Sequence, residues 1–286
     1  PDTAEILAKP LHTFAQTHHY SRAAAMAYNL QGVANAMKGN YPVALDYYKK
    51  SLAIDERNGY KKGITGALNN IGNIYLNQGN YPQALDYYHR SLKIYEEIND
   101  KKGIALILNN IGNIYSLMKD YPRSLEYQLK SLAVCQQIED KRGAASAMSN
   151  IGNAYLNMKN YPLALDYFKK ALGFFEETGD KTGMAINYVN IGRFYEDQGD
   201  YSRALEYSQK SLTLNESMGA KQQIATDRIN IGRQYKKLGN YTVALDYCHG
   251  GLLLAKEVGA LKQQKAACEC IYETQKANGK SASALE

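Results

Sequence analysis

Residues Asn69–Leu108 read NNIGNIYLNQGNYPQALDYYHRSLKIYEEINDKKGIALIL, and this stretch decides the fold because it recurs. Asn109–Met148 and Ser149–Tyr188 repeat it closely, while Asn29–Leu68, Val189–Arg228 and Ile229–Cys268 repeat it more loosely. The period is a strict 40 residues without insertion or deletion, so six copies (29–68, 69–108, 109–148, 149–188, 189–228 and 229–268) cover 240 of the 286 residues. A fixed period of this size marks a stacked repeat architecture.

Each copy predicts two helices. Leu68, Ile71, Ile74 and Tyr75 recur on one helical face, and Ala84, Tyr87, Tyr88, Ser91, Leu92 and Tyr95 form a second apolar stripe. Gly79-Asn80 separates them, with Asn80 as a capping side chain and Pro82 in the first turn, where a missing N–H costs nothing. Asn99-Asp100 ends the pair.

Small residues stand where helices must approach closely: Gly32, Gly72, Gly112, Gly152, Gly192 and Gly232 in the first helices, and Ala44, Ala84, Ser124, Ala164, Ala204 and Ala244 in the second. Ser51, Ser91, Ser131, Ala171, Ser211 and Gly251 form a third such row. Acid-to-base pairs four apart (Asp46–Lys50, Asp86–Arg90, Glu126–Lys130, Asp166–Lys170, Glu206–Lys210) support the outer face of the second helices. Gly250 removes the base from the last pair; it reads as a tolerated weak spot or as a close backbone approach.

Ile71-Gly72, Tyr75, Gly79, Tyr81, Ala84, Tyr88 and Leu92, in this order and spacing and in six copies, resemble the tetratricopeptide repeat family. The common repeat of that family has 34 residues. The extra six here follow Leu92 and lengthen the second helix and its connection, as in Pins-type adaptors and bacterial signalling proteins. The resemblance implies an all-α, right-handed α-α superhelix of antiparallel helix pairs, with the first helices lining a concave groove.

Composition excludes several function classes. Charged residues are 22% and apolar residues 45%, ordinary for a globular protein. There is no Trp but there are 25 Tyr, of which 19 occupy four repeat positions and read as packing residues. The net charge of +6 is spread over 34 basic and 28 acidic residues, with no basic run longer than two, so nucleic-acid binding is not expected. No stretch of 18 apolar residues predicts a membrane span. Cys135, Cys248, Cys268 and Cys270 make no CxxC pair and read as buried thiols rather than a disulfide or metal set. His18-His19 cannot share a helical face, so no metal is expected there. No phosphate loop, nucleophile set or paired His/Cys cluster is present, so neither catalysis nor a cofactor is expected.

The remaining candidate is a surface. The resemblance points two ladders of the first helices into the groove: Asn70, Asn110, Asn150, Asn190 and Asn230, and Asn73, Asn113, Asn153, Arg193 and Arg233. Asn29, Asn69 and Asn109 add an edge. Amides donate and accept, so such a row suits the backbone of an extended peptide. Arg193 and Arg233, with Lys236 and Lys237, make one end cationic and suited to an acidic side chain or a C-terminal carboxylate.

The expected function is a non-catalytic scaffold for a peptide or partner protein. The alternative is the sensory or oligomerising segment of a larger bacterial signalling enzyme, such as a histidine kinase or nucleotide cyclase. Thr3–His19 reads as the trailing half of a preceding repeat kinked at Pro10. Cys270–Gly279 with Ala284-Leu285-Glu286 opens a seventh, which predicts a continuing chain and end-to-end self-association of this segment. A cytoplasmic setting is favoured, with a periplasmic one open if an upstream signal was removed.

Overall fold

A computed structural model describes residues 20–279 and, before them, 6–8, 10, 11 and 13. The second helix expected over Thr3–His19, with His18-His19, and the last part of the seventh repeat at Ala284–Glu286 fall wholly or largely outside these. The described chain from Ser21 onward is a run of helices: α1 (Ser21–Met37), α2 (Tyr41–Asn58), α3 (Lys61–Asn77), α4 (Tyr81–Glu97), α5 (Lys101–Leu117), α6 (Tyr121–Gln137), α7 (Lys141–Asn157), α8 (Tyr161–Thr178), α9 (Lys181–Asp197), α10 (Tyr201–Ser217), α11 (Lys221–Lys237), α12 (Tyr241–Glu257) and α13 (Leu261–Ala277). Odd-numbered helices are the first of each pair and even-numbered helices the second. The chain forms two compact units, residues 1–143 and 144–286, divided in the first turn of α7.

The turns explain the regularity. Each helix ends on a residue with positive φ, and these recur every 20 residues from Gly39 to Gly279. Nine are glycine, which takes this conformation without penalty. Asn99, Lys119, Glu139 and Lys159 fill the other four (φ 52 to 62°). A side chain there costs about 1–2 kcal/mol in the left-handed region, partly offset by the freedom glycine has in the unfolded chain. Lys159→Gly is therefore expected to raise the unfolding free energy by roughly 0.5–1 kcal/mol; an unchanged or lower urea midpoint would contradict this. At the other ends, Asn80, Asp100, Asp120, Asn160, Asp180, Asp200 and Asn240 accept the backbone N–H three residues on. Pro82, Pro122 and Pro162 sit in first turns.

The glycines of the first helices do what their spacing predicts. A Cβ at Gly32, Gly72, Gly112 or Gly152 would stand 2.5–2.6 Å from Tyr48, Tyr88, Gln128 or Phe168 of the paired second helix. Ala44, Ala84, Ala164, Ala204 and Ala244 are fully buried beside them. Ser51, Ser91 and Ser131 also reach back 26 residues to the carbonyls of Ala25, Thr65 and Ala105 at 2.9, 3.2 and 2.8 Å. These hydroxyls tie α2, α4 and α6 to the first helices of their own pairs. At Gly250 a Cβ would meet the Arg228 side chain at 2.9 Å and no backbone, whereas at its neighbour Gly251 one would lie 3.0 Å from the Ala225 carbonyl, so the close backbone approach is at Gly251.

Two expectations change. The Lys50, Lys130, Lys170 and Lys210 ion pairs form at 2.6–2.7 Å, but Arg90 reaches Glu56 of α2 instead of Asp86. Cys248 and Cys270 are not isolated thiols. They are fully buried, with Cα atoms 6.1 Å apart, and are joined as a disulfide between α12 and α13. Cys248 occupies the position of Tyr48, Tyr88 and Phe168, which pack on the next first helix; Cys270 faces it there. Cys268 is exposed, while Cys135 is buried.

Candidate interaction face on the first helices

Each first helix presents one stripe at steps of four, three and four. In the first unit it is Met26, Leu30, Val33 and Met37 on α1, then Gly66, Asn70, Asn73 and Asn77 on α3, then Leu106, Asn110, Asn113 and Leu117 on α5. In the second unit it is Ser146, Asn150, Asn153 and Asn157 on α7, then Ile186, Asn190, Arg193 and Asp197 on α9, then Thr226, Asn230, Arg233 and Lys237 on α11. Both expected ladders are the middle two residues of these stripes.

Many of the ladder amides are half-buried and already bonded. Asn70 donates to Asn29 at 3.5 Å and Asn110 to Asn69 at 3.1 Å, joining successive first helices. Asn190 donates to the Ser149 hydroxyl at 3.0 Å. For Asn230 the corresponding earlier residue is Val189, whose side chain offers no acceptor. Asn73 accepts from the Tyr88 hydroxyl at 2.6 Å, and Asn113 from Gln128 Nε2 at 3.0 Å. Burial pushes the Tyr88 phenol up to about 12, so it remains a donor at neutral pH. In the next copy the partner position holds Phe168, and Asn153 Oδ1 is buried without a hydrogen bond. These amides therefore fix the spacing of neighbouring helices, and only their remaining donors and acceptors face outward.

The cationic end is uneven. Arg193 is exposed and donates only to a neutral group, Asn157 Oδ1 at 2.8 Å. Arg233 is half-buried and reaches the Ala266 carbonyl at 3.4 Å. Lys236 is paired with Glu273 and its side chain is only 15% exposed. That bond, first among several cations, holds the Glu273 carboxyl below its usual range. Lys237 is exposed.

The sequence reading missed the apolar members of the face. Leu106, Leu117 and Ile186 are 48%, 55% and 56% exposed at the ends of their stripes, and Met26 and Met37 are exposed on α1. The signal was present as the i, i+4, i+7, i+11 set through each Asn pair, extended one step outward on either side.

A polar cluster also lies in the second unit. Asp227, Asn215 and Ser211 are all buried, with Asn215 Nδ2 donating to Asp227 at 2.7 Å and Ser211 at 3.1 Å. Burial pushes the Asp227 carboxyl up to about 6. Among the described residues no group of three or more His, Cys, Asp or Glu is placed to hold a metal, and no helix is long and apolar enough to cross a membrane.

Tetratricopeptide repeat models match residues 64–137, 103–177 and 143–217, and a further one matches 11–59. The chain belongs to the tetratricopeptide repeat family. Its fold is the solenoid type of that family, all-α and built of consecutive antiparallel helix pairs. No curated protein matches it significantly. Among solved structures it is similar to the apo form of RapI (TM-score 0.68, 17% identity, covering 82% of this chain and 84% of that one). BtubC from P. vanneervenii is similar over 76% of this chain and 91% of its own, at 16% identity and a TM-score of 0.65. A STAND protein with a tetratricopeptide repeat sensor, PH0952 from Pyrococcus horikoshii, matches 98% of this chain and 44% of its own, at 17% identity and a TM-score of 0.67. Repeats of this family act as protein–protein interaction scaffolds and are generally non-catalytic.

Proposed function

We propose that the chain is a non-catalytic scaffold that receives an extended peptide or partner segment along the first-helix stripes. The observation that carries this reading is the exposure of Leu106, Leu117 and Ile186 beside the amides of the same stripes. Apolar contacts flanking amide donors and acceptors suit a peptide, whose backbone needs hydrogen bonds and whose side chains need apolar area. Asn70, Asn73, Asn110, Asn113, Asn150, Asn153, Asn190 and Asn230 contribute the bonds left over from helix spacing. Arg193 and Arg233 receive an acidic group, helped by Lys237 more than by the already paired Lys236.

The test is a display library of random peptides ending in free carboxylates, selected on the wild type and assayed against Arg193→Ala/Arg233→Ala. Each lost charge-assisted bond is worth about 1.5–3 kcal/mol, so affinity is expected to fall about tenfold or more. Equal affinity for both proteins would remove the anionic anchor from the reading. Leu106→Ser/Leu117→Ser with unchanged affinity for every selected peptide would overturn the face itself. A second reading, the sensory segment of a larger signalling protein, is favoured by the match to the sensor-bearing PH0952, of which this chain spans under half. End-to-end self-association is a further expectation, supported by the exposed Leu261 and Tyr272 on α13.

A further inference from the structure

Between the N-terminal halves of α1 and α3 lies a cleft of about 630 Å³, walled mainly by apolar atoms of Met26, Leu30 and Ile98 and floored by Asp55, Gly63 and Gly66. Two of its lining residues are smaller than their counterparts in the second and fourth copies. Asp55 stands where the next copy has Tyr95 and the fourth has Phe175. In those copies the ring lies across a glycine, so closely that a Cβ at Gly103 or Gly183 would meet it at 2.2–2.3 Å. Over Gly63 there is only the Asp55 carboxylate, 2.3 Å from such a Cβ. Gly66 stands where the second and fourth copies carry Leu106 and Ile186, and a Cβ there would meet nothing within 4 Å. Where those copies place an aromatic ring and a branched side chain, this copy has a carboxylate and no side chain.

The floor is polar in one place. Asp55 is 4% exposed, and the Ser51 hydroxyl beside it also donates to the Ala25 carbonyl at 2.9 Å. Burial raises its carboxyl above the usual range, against the opposing influence of Arg22 and Ser51. A buried acceptor at the end of an apolar slot favours a guest with a flat apolar body and a donor at its tip.

We propose that this cleft is a pocket for a phenol-type aromatic side chain of a partner, its ring between Met26, Leu30 and Ile98 and its hydroxyl donating to Asp55. A cationic tip fits less well, because Arg22 and Lys62 already stand at the lining. The pocket deepens the reading of the first-helix face as a docking surface and rests on it. Its test needs no partner, so the outcome is separable from that of the peptide selection.

The probes are p-cresol and toluene, titrated into the isotope-labelled protein while the backbone amides of Met26, Gly63 and Gly66 are followed by NMR. Saturable shifts are expected with p-cresol, and about tenfold weaker binding with toluene, which lacks the donor. Gly66→Leu, which copies the residue at 106, is expected to abolish the p-cresol shifts while leaving the melting temperature equal or higher, since leucine favours helix over glycine. No saturable shift in the wild type, equal binding of toluene, or undiminished binding to Gly66→Leu would each overturn the proposal.

Discussion

Tyr88→Ala is expected to lower the unfolding free energy by about 3–5 kcal/mol, because it removes a fully buried ring and leaves a cavity that the helices cannot close. Tyr88 lies in a core with Ala84, Ile107, Ile111 and Ile114, and its ring fills the space that Gly72 leaves in the partner helix. Its hydroxyl adds a second, smaller role as the donor to Asn73 at 2.6 Å. Tyr88→Phe separates the two. The ring stays, the half-buried amide oxygen loses its donor, and the cost is expected at about 1–2 kcal/mol.

The fourth copy supplies the reverse experiment. Phe168 is equally buried, and Asn153 Oδ1 beside its position lacks a donor. Phe168→Tyr is expected to gain about 1 kcal/mol if the added hydroxyl meets that oxygen as Tyr88 meets Asn73. Urea unfolding followed by circular dichroism would check all three variants. Tyr88→Phe as stable as the wild type, or Phe168→Tyr as destabilising as an overpacked core, would show that the hydroxyl–amide bond does not act in this way.

Asp227→Asn is expected to stabilise the protein at pH 7.5 by about 2–3 kcal/mol. The sign follows from which state holds the proton more tightly. Burial pushes the folded-state pKa of Asp227 up to about 6, whereas an unfolded aspartate titrates near 4. The folded state therefore binds the extra proton between these values, and its stability is fully present below about pH 4 and is lost as the pH rises through about 6. Two pH units correspond to about 3 kcal/mol. Asparagine removes the titration. It can still accept from Asn215, and its own N–H can donate to the Ser211 hydroxyl. The urea midpoint of the wild type should fall between pH 4 and pH 6, and that of Asp227→Asn should stay flatter across the same window. Parallel profiles for the two proteins would sink the idea.

Much of the helical order was legible residue by residue, because it depends on local chemistry. Asn80 caps as expected because a short acceptor before a first turn finds the N–H three residues on, whatever lies elsewhere in the chain. Gly72 and Gly152 announce close approach because nothing else fits under a Tyr or Phe at the facing position. Arg90 escaped its expected partner because Glu56 of the neighbouring second helix competes for it, and a period in one chain does not rank two exposed carboxylates. The pairing of Cys248 with Cys270 was missed for a similar reason, since 22 residues of sequence span a turn and a change of helix and carry no distance.

The candidate face divides in the same way. Its period, its Asn and Arg positions and the helix that bears them follow from the residues alone, since a 40-residue repeat places equivalent side chains equivalently. Helix packing settled which amides are spent on neighbouring helices, as Asn73 is on Tyr88 and Asn110 on Asn69. It also decided that Leu106 and Leu117 stay exposed, that Asp227 is buried, and that Asp55 with Gly66 leaves a hollow. The physical reason is that burial and hydrogen-bond partnership belong to pairs of helices. A single substitution such as Phe168 or Asp55 changes what its neighbour can bond to, without altering the pattern along its own helix.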